Sequence, residues 1–197
     1  MSGFKLAWIK FWRDKLAFSG FLIVFSLLLV AIFAGVLAPY PQDIYNINPA
    51  ERLQPPSTKH YLGTDSMGRD IFSRLLFGAR ITLVISIIAV GSSLLIGVPL
   101  GLVAGYFENW FSELIMRIAD IFLSIPQIIL AIFLAQSFGP SIQSVILALS
   151  ITYWPWFTRI VYAETRALKK TAFIEATEAL GAGTMRTILL HVPPNVS

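Results

Sequence analysis

Few residues in this chain are equipped for bond chemistry. There are two histidines, His60 and His191, and no cysteine, so disulfides and thiolate metal sites are excluded. No H-E-x-x-H and no G-x-x-x-x-G-K-[ST] occurs, which removes the zinc-hydrolase helix and the loop that cradles nucleotide phosphates. His60 lies in a proline-rich stretch and His191 close to the last residue; both read as polar or turn residues, and no catalytic or metal-ligating residue is assigned. Asp120 stands three residues after Arg117 at the edge of an apolar run. It reads either as half of an i, i+3 ion pair or as a buried carboxylate for proton relay. Glu164 and Glu178 neighbour Arg166 and Lys170 and read as solvated or paired. A different kind of chemistry, close packing, is suggested by Ser93, Gly97, Gly101 and Gly105, a small residue at every fourth position. Such a stripe lets helix backbones approach in lipid, either as ordinary packing or along a transport path.

The elements that carry these residues follow from composition. Of 197 residues, 56% are hydrophobic and only 13% charged, against roughly 25% charged in soluble domains. The 27 residues between Arg80 and Glu108 and the 38 between Asp120 and Arg159 carry no charge at all. A soluble chain this short could not bury that much apolar surface, so a cytosolic enzyme and a disordered chain are excluded. The net charge of +4 does not signal nucleic-acid binding, because the basic residues flank apolar runs instead of forming one patch.

A membrane helix needs about 20 apolar residues, with ~17 as the lower end. This predicts spans at Leu16–Ala38 and Ile81–Phe107. The 38-residue run is divided at its polar, turn-forming centre, Gln136 to Ser141, into Ile121–Ser137 and Ser141–Phe157. The first span is too long for a secretory signal and lacks a cleavage site, so it reads as retained. With the N-terminus inside, ten Lys and Arg residues fall on inner segments and five on the outer one, which favours a cytoplasmic N-terminus.

Between the spans, residues 39–63 hold Pro39, Pro41, Pro49, Pro55 and Pro56 and read as an extended external loop. Asp65 or Ser66 is placed to cap a helix. Ile71, Phe72, Leu75, Leu76 and Ala79 then share a face, predicting a short amphipathic helix at the outer interface; the alternative is that it merely extends the second span. Pro126 and Pro155 mark kinks or helix starts. Trp154 and Trp156, with Tyr106 and Trp110, suit interfacial anchors. From Arg159 onward the chain is charged and reads as cytoplasmic. Ala172–Leu180 favours helix, Gly181 and Gly183 break it, and Thr184 can cap a second helix. A bend lined by the small residues Ala176, Ala179, Gly181 and Ala182 can enter a groove on another protein.

At this bend the sequence resembles a known family. Glu175-Ala176-Thr177, Gly181 and Pro194 are similar to the EAA loop of ABC importer permeases, E-A-A-x-x-x-G followed by I-x-L-P. The remaining blocks resemble the C-type permease of dipeptide, oligopeptide and nickel importers. They are His60-Tyr61-Leu62-Gly63-Thr64-Asp65 with Gly68-Arg69-Asp70, Ser73-Arg74, Gly78-Ala79-Arg80, Gly97 to Tyr106, Met116 to Asp120, Ile125-Pro126, Trp154-Pro155 and Phe173 to Asn195. Thr177 departs from the second Ala and Pro193 from Leu, while His191 takes the Ile position.

The resemblance implies an all-α integral membrane protein with the type I ABC importer permease (MetI-like) fold, holding four of six expected transmembrane helices. It implies three regions: 1–38, the cytoplasmic N-terminus and first helix; 39–80, the external loop; and 81–197, a core with a coupling loop at 172–195. The chain, ending at Ser197, then looks like a fragment lacking the last two spans. The resemblance further implies a second permease subunit, two cytoplasmic ABC ATPase subunits that hold ATP and Mg²⁺, an external solute-binding protein, and surrounding lipid. No nucleic acid is implied, and this chain would bind no cofactor itself. Glu175, Ala176, Thr177, Ala179, Gly181 and Pro194 would form the ATPase-coupling element, in the plasma membrane of a bacterium or archaeon. The alternative is a membrane protein of structural or assembly role without transport, or a non-functional fragment of the permease.

Overall fold

Five α-helices of eleven residues or more, and no strands, form the described part of a computed structural model, residues 11–171 together with Ile174. They are α1 (Lys15–Leu37), α2 (Ile71–Phe107), α3 (Trp110–Ser124), α4 (Gln127–Ser137) and α5 (Ile142–Lys169). The segment at 172–195, expected from the resemblance to be the coupling loop, lies outside the described residues apart from Ile174. The chain divides after Val84, within α2, into two compact units.

In the first unit, Asp14 Oδ1 accepts the Leu16 and Ala17 N–H groups at 2.9 and 3.2 Å and so starts α1. Nearly all of α1 is apolar and exposed, as lipid contact requires. Its buried spots are small: Ala34 and Ala38 meet Leu76 of α2, with Val30, Phe72 and Phe77 around them. Pro39 then ends the helix.

The loop from 38 to 70 is folded rather than extended. It contains two single-turn 3-10 segments, Pro41–Ile44 and Pro49–Glu51. A bridge joins Thr64 to Asp70, and Asn48, Leu53 and Thr64 donate their N–H groups to carbonyls of Met67, Asp65 and Gln54. Asp70, not Asp65 or Ser66, caps the next helix, its Oδ2 accepting the Ser73 N–H at 2.7 Å. The expected interfacial helix is the first turns of α2 itself. Nothing between Ile71 and Phe107 breaks the helix, and its 37 residues outrun one bilayer core.

The second unit is built on α5. Ser141 Oγ accepts the Ser144 N–H at 3.0 Å to start the helix. The buried face of α5 is mostly small and hydroxylated: Ser144, Ala148, Ser150, Thr152, Pro155, Thr158, Val161 and Thr165. The Ser150, Thr152 and Thr158 hydroxyls donate to carbonyls of the helix itself, as with Thr152 Oγ1 on the Ala148 carbonyl at 2.6 Å. Pro155 is absorbed inside α5, which runs to Lys169; Arg159, Glu164 and Arg166 are thus helical, and the fourth span extends past Phe157. Asn109 Oδ1 caps α3 through the Ser112 N–H at 3.0 Å. The expected span at Ile121–Ser137 is instead two helices bent by 91°. Pro126 has no N–H and forces Ile125 into extended backbone, φ −93° and ψ 132°. Among the described residues three helices are long and apolar enough to cross a membrane, and a fourth crossing exists if α3 and α4 act together.

Candidate functional site

The stripe of small residues on α2 lies against α5. Ser93 Oγ donates to the Ser150 carbonyl at 3.2 Å, and Thr158 Oγ1 to the Gly97 carbonyl at 3.2 Å. A Cβ on Gly97 would fall 2.7 Å from the Trp154 carbonyl oxygen. One on Gly101 would fall 2.7 Å from both Thr158 O and Val161 Cβ, and one on Gly105 2.7 Å from Thr165 Cβ. These distances are shorter than carbon contacts allow, so the glycines set the approach of the two backbones. The partners advance together, from Ser93 with Ser150 to Gly105 with Thr165, so α2 and α5 run parallel. Two parallel neighbours that both cross a membrane require the chain to return between them, and the bent pair α3 and α4 lies between them in the chain.

At the far end of this seam the helices meet Ile174. Leu102, Tyr106, Val161 and Ile174 form one buried cluster, with Val98 and Leu168 packed on it. Lys169 Nζ donates to the Tyr106 carbonyl at 2.7 Å and lies 5.3 Å from its ring centroid. Tyr106 is therefore core, not the interfacial anchor its type suggests. Ile174 is held directly before Glu175, while Glu175, Ala176, Thr177, Ala179, Gly181 and Pro194 lie outside the described residues. Beside this cluster, Glu108, Asn109, Trp110, Glu113, Tyr162 and Arg166 line a groove of about 410 Å³. Arg166 Nε stands 3.4 Å from Glu108.

Asp120 is not paired with Arg117. Arg159 of α5 donates to Asp120 at 2.8 Å, and Arg117 donates to Glu113 at 2.6 Å. On a helix both i−3 and i−4 partners are in reach of Arg117, and Asp120 faces α5 instead. Sequence spacing cannot see a partner 39 residues away.

The loop holds a second cluster. His60 is 1% exposed, as is Asp70, and the His60 Nδ1 and Asp70 Oδ1 atoms are 2.9 Å apart. His60 does sit in a turn, its carbonyl accepting the Gly63 N–H at 2.9 Å, but its side chain is buried against Asp70. Glu51 reaches its other ring nitrogen at 3.4 Å and also pairs with Lys59. Tyr40 lies over the imidazole with centroids 4.9 Å apart. Asp65 organises the adjoining turn: Oδ1 accepts the Met67 and Arg69 N–H groups at 2.8 and 3.0 Å, and Oδ2 takes the Arg69 and Arg74 guanidinium groups at 2.9 and 2.5 Å. Partial burial opposes the charge on Asp65, but the Arg69 and Met67 N–H groups and the Arg69 guanidinium outweigh it and hold the carboxyl at about 2. Burial likewise opposes the charge on Asp70, and the Ser73 N–H with His60 overcomes it, so its carboxyl sits below the ordinary range. The signal for this cluster was present in the sequence. Gly63 and Gly68 have φ of 74° and 76°, and a Cβ at Gly68 would fall 1.7 Å from the Asn48 carbonyl oxygen. Glycines at these places announce tight turns, but not that His60 is enclosed by them.

Comparison with known proteins matches two separate stretches of the chain. The family described as the binding-protein-dependent transport system inner membrane component matches residues 97–197. The N-terminal TM domain of oligopeptide transport permease C matches residues 2–56. The dipeptide transport system permease protein of Alkalihalophilus pseudofirmus is 42% identical over 183 residues, covering 93% of this chain and 60% of that protein. The glutathione transport system permease protein of Pectobacterium atrosepticum is 39% identical over 188 residues, covering 95% of this chain and 62% of that protein. That of Escherichia coli O157:H7 is 42% identical over 191 residues, with 95% and 61% covered. The chain spans about three fifths of the length of these curated relatives. With the larger match taking in Gly97, Gly101, Gly105 and all of α5, this membrane chain belongs to the family of binding-protein-dependent transport system inner membrane components.

Proposed function

We propose that the chain is a permease subunit of an ATP-driven importer, forming part of the path for dipeptides, oligopeptides or related small peptides such as glutathione. The relatives named above are dipeptide and glutathione permeases, which supports the solute class. One observation carries the mechanism. Ile174, the residue before the coupling motif, is locked into the core that joins α2 to α5. A push on the bend at 175–195 is thereby delivered to two crossing helices rather than dissipated in a loose tail.

In this reading the bend at Glu175, Ala176, Thr177, Ala179, Gly181 and Pro194 docks into a cleft of a cytoplasmic ATPase. The chain itself catalyses nothing and holds no cofactor; ATP and Mg²⁺ are bound by the partner subunits. Nucleotide-dependent preference of the ATPases for one facing of the permease biases the two-state equilibrium, since only differential binding shifts a population. A second permease subunit completes the path, and an external solute-binding protein delivers the solute. The N-terminus and the bend lie on the cytoplasmic side.

Co-purification with the partner ATPase tests the reading. Gly181→Trp fills the bend with a bulky side chain and is expected to cut ATPase recovery at least tenfold while the chain stays in the membrane. Equal recovery with both chains, or unchanged solute uptake after deletion of the gene, would overturn it in favour of a structural or assembly role.

A further inference from the structure

Each helical segment of the second unit, α2, α5 and the bent pair α3 with α4, carries a proline in its interior. They are Pro99, Pro155 and Pro126. The contacts place all three at one height. Gly97, just before Pro99, faces the Trp154 carbonyl and Phe157, which an added Cβ would meet at 2.7 and 2.8 Å. Trp154 and Phe157 stand on either side of Pro155. The Trp154 ring in turn meets the Phe122 ring, centroids 5.6 Å apart, and Tyr153 shares a groove with Gln127, the first residue of α4. Tyr153 and Trp154 therefore lie beside both Pro155 and the break at Pro126. A proline inside a helix offers no N–H to the carbonyl four residues back, so the helix bends there more easily than elsewhere. In a tightly packed pair, one such helix is held straight by an unbroken partner. Two with prolines at one height can bend together and keep their seam.

The contacts change partners across that height. On one side Ser93 Oγ ties α2 to the Ser150 carbonyl of α5, and Ala131 and Ala135 of α4 share a groove with Val145 and Leu149. On the other side Leu102, Tyr106, Val161 and Ile174 form one cluster, and Lys169 Nζ donates to the Tyr106 carbonyl at 2.7 Å. There too, Arg159 ties α5 to Asp120 of α3 at 2.8 Å. So α4 packs on the part of α5 before Pro155, and α3 is tied to the part after it. We infer that the second unit consists of two rigid halves joined by a plane of three prolines, and that the half holding Ile174 swings as one body against the other. Rotation at this plane converts a displacement at Ile174 into one of α3 and the adjoining ends of α2 and α5 together. The Thr158 hydroxyl on the Gly97 carbonyl, at 3.2 Å, sits at the pivot. Only the origin of the displacement, a partner docked on the segment after Ile174, rests on the reading proposed above.

Spin-label distance measurement on the full chain in nanodiscs tests the hinge with no partner present. The chain has no cysteine, so each labelled pair stands alone. Ile87→Cys with Phe107→Cys spans the plane on α2, and Leu147→Cys with Ala167→Cys spans it on α5; all four positions are exposed. Each pair is ~30 Å apart along a straight helix. Both pairs are expected to show a spread of distances. Pro155→Ala restores the missing N–H in α5 and should roughly halve the spread across α2 as well as across α5. Pro99→Ala should act on both helices in the same way, and it decides the matter where the buried Pro155 cannot be replaced without loss of folding. Pro155→Gly, flexible without the ring, should keep the spread of the unaltered chain. Narrowing confined to the helix that carries the substitution makes each proline a local kink and overturns the inference. So does a spread that neither alanine variant changes, or one that Pro155→Gly narrows as much as Pro155→Ala. Equal ATPase recovery with Gly181→Trp would overturn the transport reading and leave these distances as they are. Failure of the distance test would leave ATPase recovery as it is.

Discussion

Asp65 shows how much one carboxylate can do in a short loop. It accepts two backbone N–H groups and two guanidinium groups, and its side chain is 16% exposed. Its carboxyl is lowered from 3.8 to about 2, so the folded loop binds the proton less well than an open one. A depressed carboxyl contributes stability above its unfolded value and loses it as pH falls through the folded value. Hydrogen-exchange protection of the Met67 and Arg69 amides is therefore expected to hold above pH 4 and to collapse between about pH 4 and pH 2. The contribution lost is on the order of 2 kcal/mol. In Asp65→Asn the step should vanish and protection should be lower at neutral pH. A step of undiminished size in that variant would mean that another group carries it.

At the scale of elements, the α2–α5 seam sets the strongest constraint. In lipid, helices gain little from burying apolar surface and rely on close packing and interhelical hydrogen bonds. Glycine is the residue that lets the Thr158 carbonyl sit where a Cβ on Gly101 would be, 2.7 Å away. Gly101→Leu should cost about 1–3 kcal/mol through forced separation of the helices and lower the thermal unfolding midpoint in detergent by several degrees. Gly91, on the same helix, has nothing within 4 Å of an added Cβ. Gly91→Ala should leave the midpoint unchanged or raise it slightly. Equal losses from the two variants would show that helix propensity, not the seam, is being measured. The broken pair α3 and α4 obeys a second rule: the break occurs where Pro126 removes a donor and pushes Ile125 out of helical backbone.

For the whole molecule the decisive quantity is the number of crossings. If the bent pair counts as one crossing, as the parallel run of α2 and α5 favours, four crossings return the chain to the side on which α1 begins. The chain contains no cysteine, so single cysteines report topology cleanly. Tyr45→Cys should react with an impermeant thiol reagent in intact cells, and Lys170→Cys only after the membrane is opened. Labelling of both in intact cells would make α3 and α4 a re-entrant pair and would put the coupling bend on the wrong side for an ATPase.

Apolar run length and charge placement by themselves determined that lipid is the solvent, that helices carry the apolar runs, and roughly where α1 and α2 cross, because these depend on local composition. Spacing along one helix marked Ser93, Gly97, Gly101 and Gly105 as a packing face for the same reason. What α5 presents to that face, that Asp120 meets Arg159 instead of Arg117, and that α2 begins at Ile71 under an Asp70 cap were decided only by the tertiary structure. Each depends on groups brought together from distant parts of the chain. The loop is the clearest case. Its prolines read as extended chain, yet Asp65, Asp70 and Glu51 converge on Arg69, Arg74, Lys59 and His60. Charges that look solvated in one dimension become a paired network around the buried His60 and Asp70 once two glycine turns fold them onto one another.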